Sequence, residues 1–265
     1  VKIKLFGSAG KIKIQKRCIM LTDQQRQAYV NKFMYIYLQD KNSRYRSYDH
    51  VHCVYLKNRH DNSPETLDYV ALHLFAFLGS WGMLCRGAFL LQKDYRFLIP
   101  VVKKLNQPKY DGLCDIDLTD AKLDKSKYIA TVTELIGELK KYFMSKTYYK
   151  IEKDKETDVA KNTAFILGDV HDTVIGKILL ATLGCIPAYD RYVVAGMKAE
   201  GLCGTLGNRS LSDLVDYSRT HASIVKQIMA SVNADVQRES GCRTLIYPVA
   251  KILDMLFWEY GYDIL

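Results

Sequence analysis

The amino-acid sequence predicts an all-α fold: a compact multi-helix domain with a helix-hairpin-helix-like element. Three observations carry that expectation. Apolar residues recur at helical spacing, as in Tyr29, Phe33, Ile36 and Tyr37, or Val132, Leu135, Ile136, Leu139 and Phe143. Helix-start signals precede such runs, with Thr22 or Asp23 at one and Ser63-Pro64-Glu65 at another. Strand-like alternation is confined to the start of the chain. There Ile3, Leu5, Ile12 and Ile14 alternate with lysines around Gly7-Ser8-Ala9-Gly10, and residues 1–20 read as a short β-hairpin or basic arm.

The first helix should run from Asp23 to about Leu38. Asn42 to His60, basic and aromatic, reads as an inter-helix segment. The apolar run from Val70 to Leu91 is about as long as a membrane span, but it contains His73 and Arg86 and is broken by Gly79-Ser80-Trp81-Gly82. Two buried helices around a tight turn are expected, and no membrane crossing. A helix over Asp94 to Leu105 should be interrupted at Pro100. Gln107 to Lys125 reads as a loop, Lys127 to Tyr149 as a long amphipathic helix and Lys150 to Asp158 as a charged connector. Five further helices are expected, over Val159–Leu167, Asp172–Leu183, Ala188–Glu200, Leu211–Gln237 and Arg243–Tyr260. Length and pattern suit one domain over 1–265, with helical subdomains 21–150 and 151–265 flanking a cleft.

Composition narrows the function. Hydrophobic residues make up 48% and charged residues 25% of the chain, as in a soluble globular protein. The net charge of +9 is concentrated: Val1 to His60 holds 13 Lys and Arg against Asp23, Asp40 and Asp49. One basic region on a near-neutral body points to a polyanion, and double-stranded DNA is the expected partner. Seven scattered cysteines with no C-x-x-C argue against a disulfide framework and for reduced thiols in the cytoplasm. His50-x-His52-Cys53 has no partner cluster at metal spacing, so no metal is expected. Met20 is an alternative initiator to Val1. With no Gly-rich phosphate loop, Gly-x-Ser-x-Gly elbow or His-Glu-x-x-His, the sequence does not read as a kinase, dinucleotide enzyme, serine hydrolase or zinc protease, and no small-molecule cofactor is expected.

The most informative stretch is Ile166 to Met197. A turn at Gly168 should lead into an apolar helix capped by Asp169 or Asp172, which ends at Gly184. Pro187 should start the next helix and place Tyr189, Asp190 and Arg191 in its first turn. A carboxylate there meets orphan N–H groups and the positive end of the helix dipole, and can stabilise developing positive charge in a pocket. Lys177, two turns into the preceding helix, is the only charged residue within its otherwise apolar face. Burial would depress its pKa and make it a candidate nucleophile or proton carrier.

Turn, helix with Lys, short loop, Pro-x-x-Asp and helix together resemble the core of the helix-hairpin-helix DNA glycosylases. The resemblance covers about 35 residues. The family's Gly-x-Gly hairpin reads here as Gly168-Asp169-Val170-His171-Asp172, and 13 residues separate Lys177 from Asp190, fewer than in the family. The resemblance implies an enzyme that flips a base from the duplex and hydrolyses its N-glycosidic bond, leaving an abasic site; the divergence from housekeeping repair members points to a modified base and to defence against phage, and a monomer is favoured over a larger assembly. The resemblance also implies Asp190 as the catalytic carboxylate, Lys177 as the family's lysine, and a hairpin turn over Gly168, His171 and Thr173 that holds DNA phosphate. Under that mechanism Tyr189, Trp81 and Arg86 are the candidate base pocket, and Arg44, Arg46, His50 and Arg191 are the candidate DNA contacts.

Two other readings fit the same sequence. Arg44-x5-His50 fits the Arg-x4–6-His pattern of metal-independent HEPN ribonucleases, in which the His serves acid–base chemistry and the Arg steadies phosphate. A non-enzymatic nucleic-acid-binding protein would account for the basic quarter without any reaction centre.

Overall fold

The computed structural model describes residues 20–153, 160–240, 242 and 245–265. The hairpin or arm expected at the start of the chain lies outside the described residues. Among these, the chain forms helices α1 (Asp23–Gln39), α2 (Ser47–Asn58), α3 (Pro64–Ser80), α4 (Ile99–Leu105) and α5 (Lys125–Met144). Strands β1 (Thr147–Lys153) and β2 (Ala160–Ile166) follow. Helices α6 (Asp172–Ala181), α7 (Arg191–Ala199), α8 (Asn208–Thr220), α9 (Ala222–Ser240) and α10 (Val249–Ile264) complete it. Over the described residues the protein is mostly helical, with one antiparallel hairpin. No helix among the described residues is long and apolar enough to cross a membrane.

Local chemistry sets the first helix. The Thr22 side chain accepts from the Gln25 N–H at 3.3 Å, and the Gln25 side chain accepts from the Thr22 N–H at 2.8 Å. This reciprocal cap satisfies two donors that the helix cannot. Val30, Phe33 and Tyr37 then line the face that α1 packs on α10. Helix α10 is buried on all sides from Val249 to Glu259 and forms the centre of the molecule, with α7, α1 and α9 around it. Its crossing with α7 is close: a Cβ on Gly261 would collide with the Tyr192 carbonyl, and one on Gly196 with the Phe257 carbonyl. Only glycine permits that approach. The expected halves are interlocked: α1 lies on α9 and α10, and α6 on α2 and α3.

Several expected elements differ. Asn42 to His60 is not a linker. The Ser43 hydroxyl accepts from the Tyr45 N–H and starts a 3-10 turn over Arg44–Arg46, which runs into α2. Tyr48, Val51, His52 and Tyr55 recur at helical spacing on the buried face, a period masked by the basic residues before them. The second helix after the Gly79–Gly82 turn is absent, because Gly82 and Gly87 have φ of 79° and 86°, and only a 3-10 turn, Phe89–Gln92, follows. Pro100 sits in the first turn of α4 instead of interrupting a helix. The single helix expected over Leu211 to Gln237 is two, separated at His221, and α10 begins at Val249 instead of Arg243.

The largest difference lies before the candidate site. The helix expected over Val159 to Leu167 is strand β2, and part of the expected charged connector is β1; residues 154–159 lie outside the described residues. Tyr148 pairs with Phe165 on the packed side, while Tyr149, Ile151 and Ile166 are exposed on the other, a period of two. The turn at Gly168 therefore joins a strand to a helix, and the first helix of the expected helix-hairpin-helix element is missing. Cys53 and Cys242 form a disulfide, which corrects the expectation of fully reduced thiols; Cys85, Cys114, Cys185 and Cys203 are free.

Candidate functional site

Asp190 is the N-cap of α7, one residue before the helix and not inside its first turn. One carboxylate oxygen accepts from the Tyr192 and Val193 N–H groups, each at 3.1 Å, and the other from Lys177 Nζ, also at 3.1 Å. Lys177 is buried on α6, and its ammonium lies 5.1 Å above the Trp81 ring. An ammonium offers three donors and no lone pair. Lys177 therefore serves here as a buried donor to Asp190, lying over the Trp81 ring.

A second pair faces the same space. Lys251 Nζ lies 3.3 Å from Asp254 on α10 and sits over the rings of Phe33 and Tyr48 at 4.8 and 4.9 Å. Burial pushes the Lys251 pKa down, and Asp254 opposes that shift. The other Asp254 oxygen accepts the Ala188 N–H at 2.9 Å, which ties the loop before Asp190 to α10. Lys177, Asp190, Lys251 and Asp254 line one cavity, walled by Trp81 and Trp258, with a volume of about 10 Å³. That holds one water molecule. An extruded base does not fit beside Asp190 in this conformation, so the expected base pocket is missing there.

Above this cavity the rings form a layer that reaches the surface. Trp81 and Trp258 meet edge to face at 6.2 Å, and Tyr45 packs against both. Tyr262, 54% exposed, stacks on Trp258 at 5.5 Å with 13° between planes. Tyr192 packs against both. The Arg44 guanidinium lies 4.9 Å above Trp81 and that of Arg191 4.4 Å above Tyr192, whose hydroxyl accepts from it. Arg191, Tyr192 and Tyr262 border an open hollow of about 650 Å³.

The structure thus brings together Asp190, Lys177, Trp81, Arg44 and Arg191. The remaining sequence candidates lie apart from this group or serve other contacts. Tyr189 is 2% exposed and donates its hydroxyl to Ser210 at 2.9 Å, so it is a core residue and not a pocket wall. Arg86 is exposed in the turn after α3 and lines neither hollow nor cavity. Arg46 is buried: its Nε donates to the Tyr37 carbonyl at 3.0 Å and Nη1 to the Glu239 carbonyl at 3.2 Å, so it braces α1 against α9 and cannot reach phosphate. His50 is exposed on α2. Gly168 and His171 are exposed in the strand-to-helix turn, and Thr173 donates to the Tyr189 carbonyl at 3.1 Å. Asp169 and Asp172 share Lys140 there, at 3.3 and 3.0 Å, leaving net negative charge where a DNA phosphate was expected.

Sequence reasoning missed Lys251, Asp254, Trp258 and Tyr262. They follow one another on α10 at spacings of three, four and four, and the signal that singled out Lys177, one lysine in an apolar helical run, was present at Lys251 too.

No protein-family model, no curated protein and no solved structure matches the chain. Among the described residues no group of three or more His, Cys, Asp or Glu side chains is placed to hold a metal ion.

Proposed function

We propose that the protein binds a nucleic-acid strand on the face above Asp190, taking the flat side of an unpaired base on Tyr262 and phosphates on Arg44 and Arg191. The supporting observation is the layered arrangement itself: an exposed tyrosine stacked on a tryptophan, with a cation over an aromatic ring on each side. Stacking of this kind contributes about 1–3 kcal/mol per base and tolerates any sequence. Much of the basic quarter is committed elsewhere. Arg26 pairs with Glu200 at 2.7 Å, Arg59 with Asp111 at 2.6 Å and Lys32 with Asp263 at 2.5 Å. Residues 1–19 add six Lys and Arg and no acid. Fluorescence anisotropy with labelled single-stranded and duplex 20-mers tests this. Changing Arg44→Ala and Arg191→Ala together should weaken binding at least tenfold and reduce the slope of log K against log salt by about two. Unchanged affinity and slope in the double variant would reject this face.

A second reading is base excision, which requires a further conformation in which the cavity beside Asp190 opens to admit a base; the observation behind it is that the Asp190 side chain is 15% exposed beneath the stacking face. It predicts alkali-labile breaks at one base type in duplex substrates, abolished in Asp190→Asn with binding retained. Intact strands across natural and modified bases would leave binding alone.

A further inference from the structure

A separate pocket of about 360 Å³ lies one turn along α6 from Lys177, between the loop after α3 and the end of β2. That volume is within the small-molecule range, about 300–1,000 Å³. Met83, Ala88, Phe89, Phe165, Leu167 and Val174 wall it, and its polar lining includes Asp169, His171 and Thr173. The floor is firmly built. Phe89 and Phe165 pack on the fully buried Tyr148 ring at 5.4 and 5.8 Å, yet both stay only half-buried. At the rim Asp169 and Asp172 share the ammonium of Lys140, so among the described residues two carboxylates meet one ion-paired lysine, with His171 beside Asp169. A hydrogen bond from the Val170 backbone, with Lys140, holds the Asp169 carboxyl below the usual carboxylate range.

We propose that this pocket binds a flat aromatic cation, with its ring on Phe89, Phe165 and Met83 and its positive end at Asp169. Ring faces and a polarizable thioether suit a planar π-system, and the rim charge selects against an aromatic anion of the same size. The site is independent of the nucleic-acid reading and stands or falls separately.

Cys85, an exposed thiol that lines the pocket, supplies the readout, and Cys203, outside the pocket lining, is the internal reference. The protein is labelled with a thiol reagent, and both sites are followed by peptide mass spectrometry, with benzamidine or benzoate as probe. At a benzamidine concentration ten times its dissociation constant, labelling of Cys85 should slow about tenfold with Cys203 unchanged. Asp169→Asn should weaken that protection about threefold. Ala88→Trp, which fills the pocket from the loop side, should abolish it while the helical circular dichroism stays unchanged. No protection at millimolar benzamidine, equal protection by benzoate, or full protection in folded Ala88→Trp would each overturn the proposal.

Discussion

The two lysine–aspartate pairs that face the small cavity are built differently. Lys251 and Asp254 stand three residues apart on one helix, with side chains 2% and 8% exposed, and the second Asp254 oxygen is taken by the Ala188 N–H. Lys177 stands on α6 and Asp190 at the N-cap of α7, and Asp190 keeps one edge toward the surface beside Arg191 and Tyr192. The sealed pair fixes the loop that delivers Asp190, while the second pair presents a carboxylate under the aromatic face. Removing one partner of a buried pair leaves an uncompensated charge, so the cost should follow the degree of sealing.

That comparison can be broken in order of expected effect. Asp254→Ala strands Lys251 and the Ala188 N–H together and should cost about 4 kcal/mol in urea unfolding. Asp190→Ala, at the more open pair, should cost about 2 kcal/mol. The reverse order would show that the two roles have been exchanged.

Lys251→Met sharpens the contrast through pH. Burial depresses the folded-state pKa of Lys251 below 10.5, so its contribution to stability is fully present above 10.5 and lost as pH falls through the folded value. The stability of the native sequence relative to Lys251→Met should therefore rise as pH is raised toward 10.5. Urea midpoints of both proteins at several alkaline values check this, and a flat difference would mean the ammonium is not desolvated.

The smallest effect belongs to a partly exposed cluster in which α4 and the turn after it meet Glu138 of α5. Hydrogen bonds from Lys109 and Lys104 pull Glu138 down to about 2 from 4.5. Its stabilisation is present above pH 4.5 and lost as pH falls toward 2. Glu138→Gln should flatten that acid limb by less than about 1 kcal/mol, read from thermal midpoints between pH 5 and about 2.

The parts legible in the sequence were those decided by neighbouring residues. Thr22 and Ser63 announce α1 and α3 through hydrogen bonds spanning three residues, and Asp190 lies at a helix mouth for the same reason. β2 was not legible, because its seven residues acquire a period of two only when paired with β1, as at Tyr148 opposite Phe165. The size of the cavity was equally hidden. It depends on how Trp81, Lys177, Asp190 and Trp258 close from α6, α10 and the ends of α3 and α7, a matter of packing between residues as much as 177 positions apart.

Trp81 and Trp258 are the only tryptophans in the chain, and both belong to the aromatic face. Their emission therefore reports on this site alone. Titration of the unmodified protein with an unlabelled single-stranded oligonucleotide should quench that emission saturably, with a midpoint matching the anisotropy affinity. The quench should be lost when Tyr262→Ala is combined with Arg44→Ala. Emission that stays constant while the strand binds would contradict the account and move the contact to another surface.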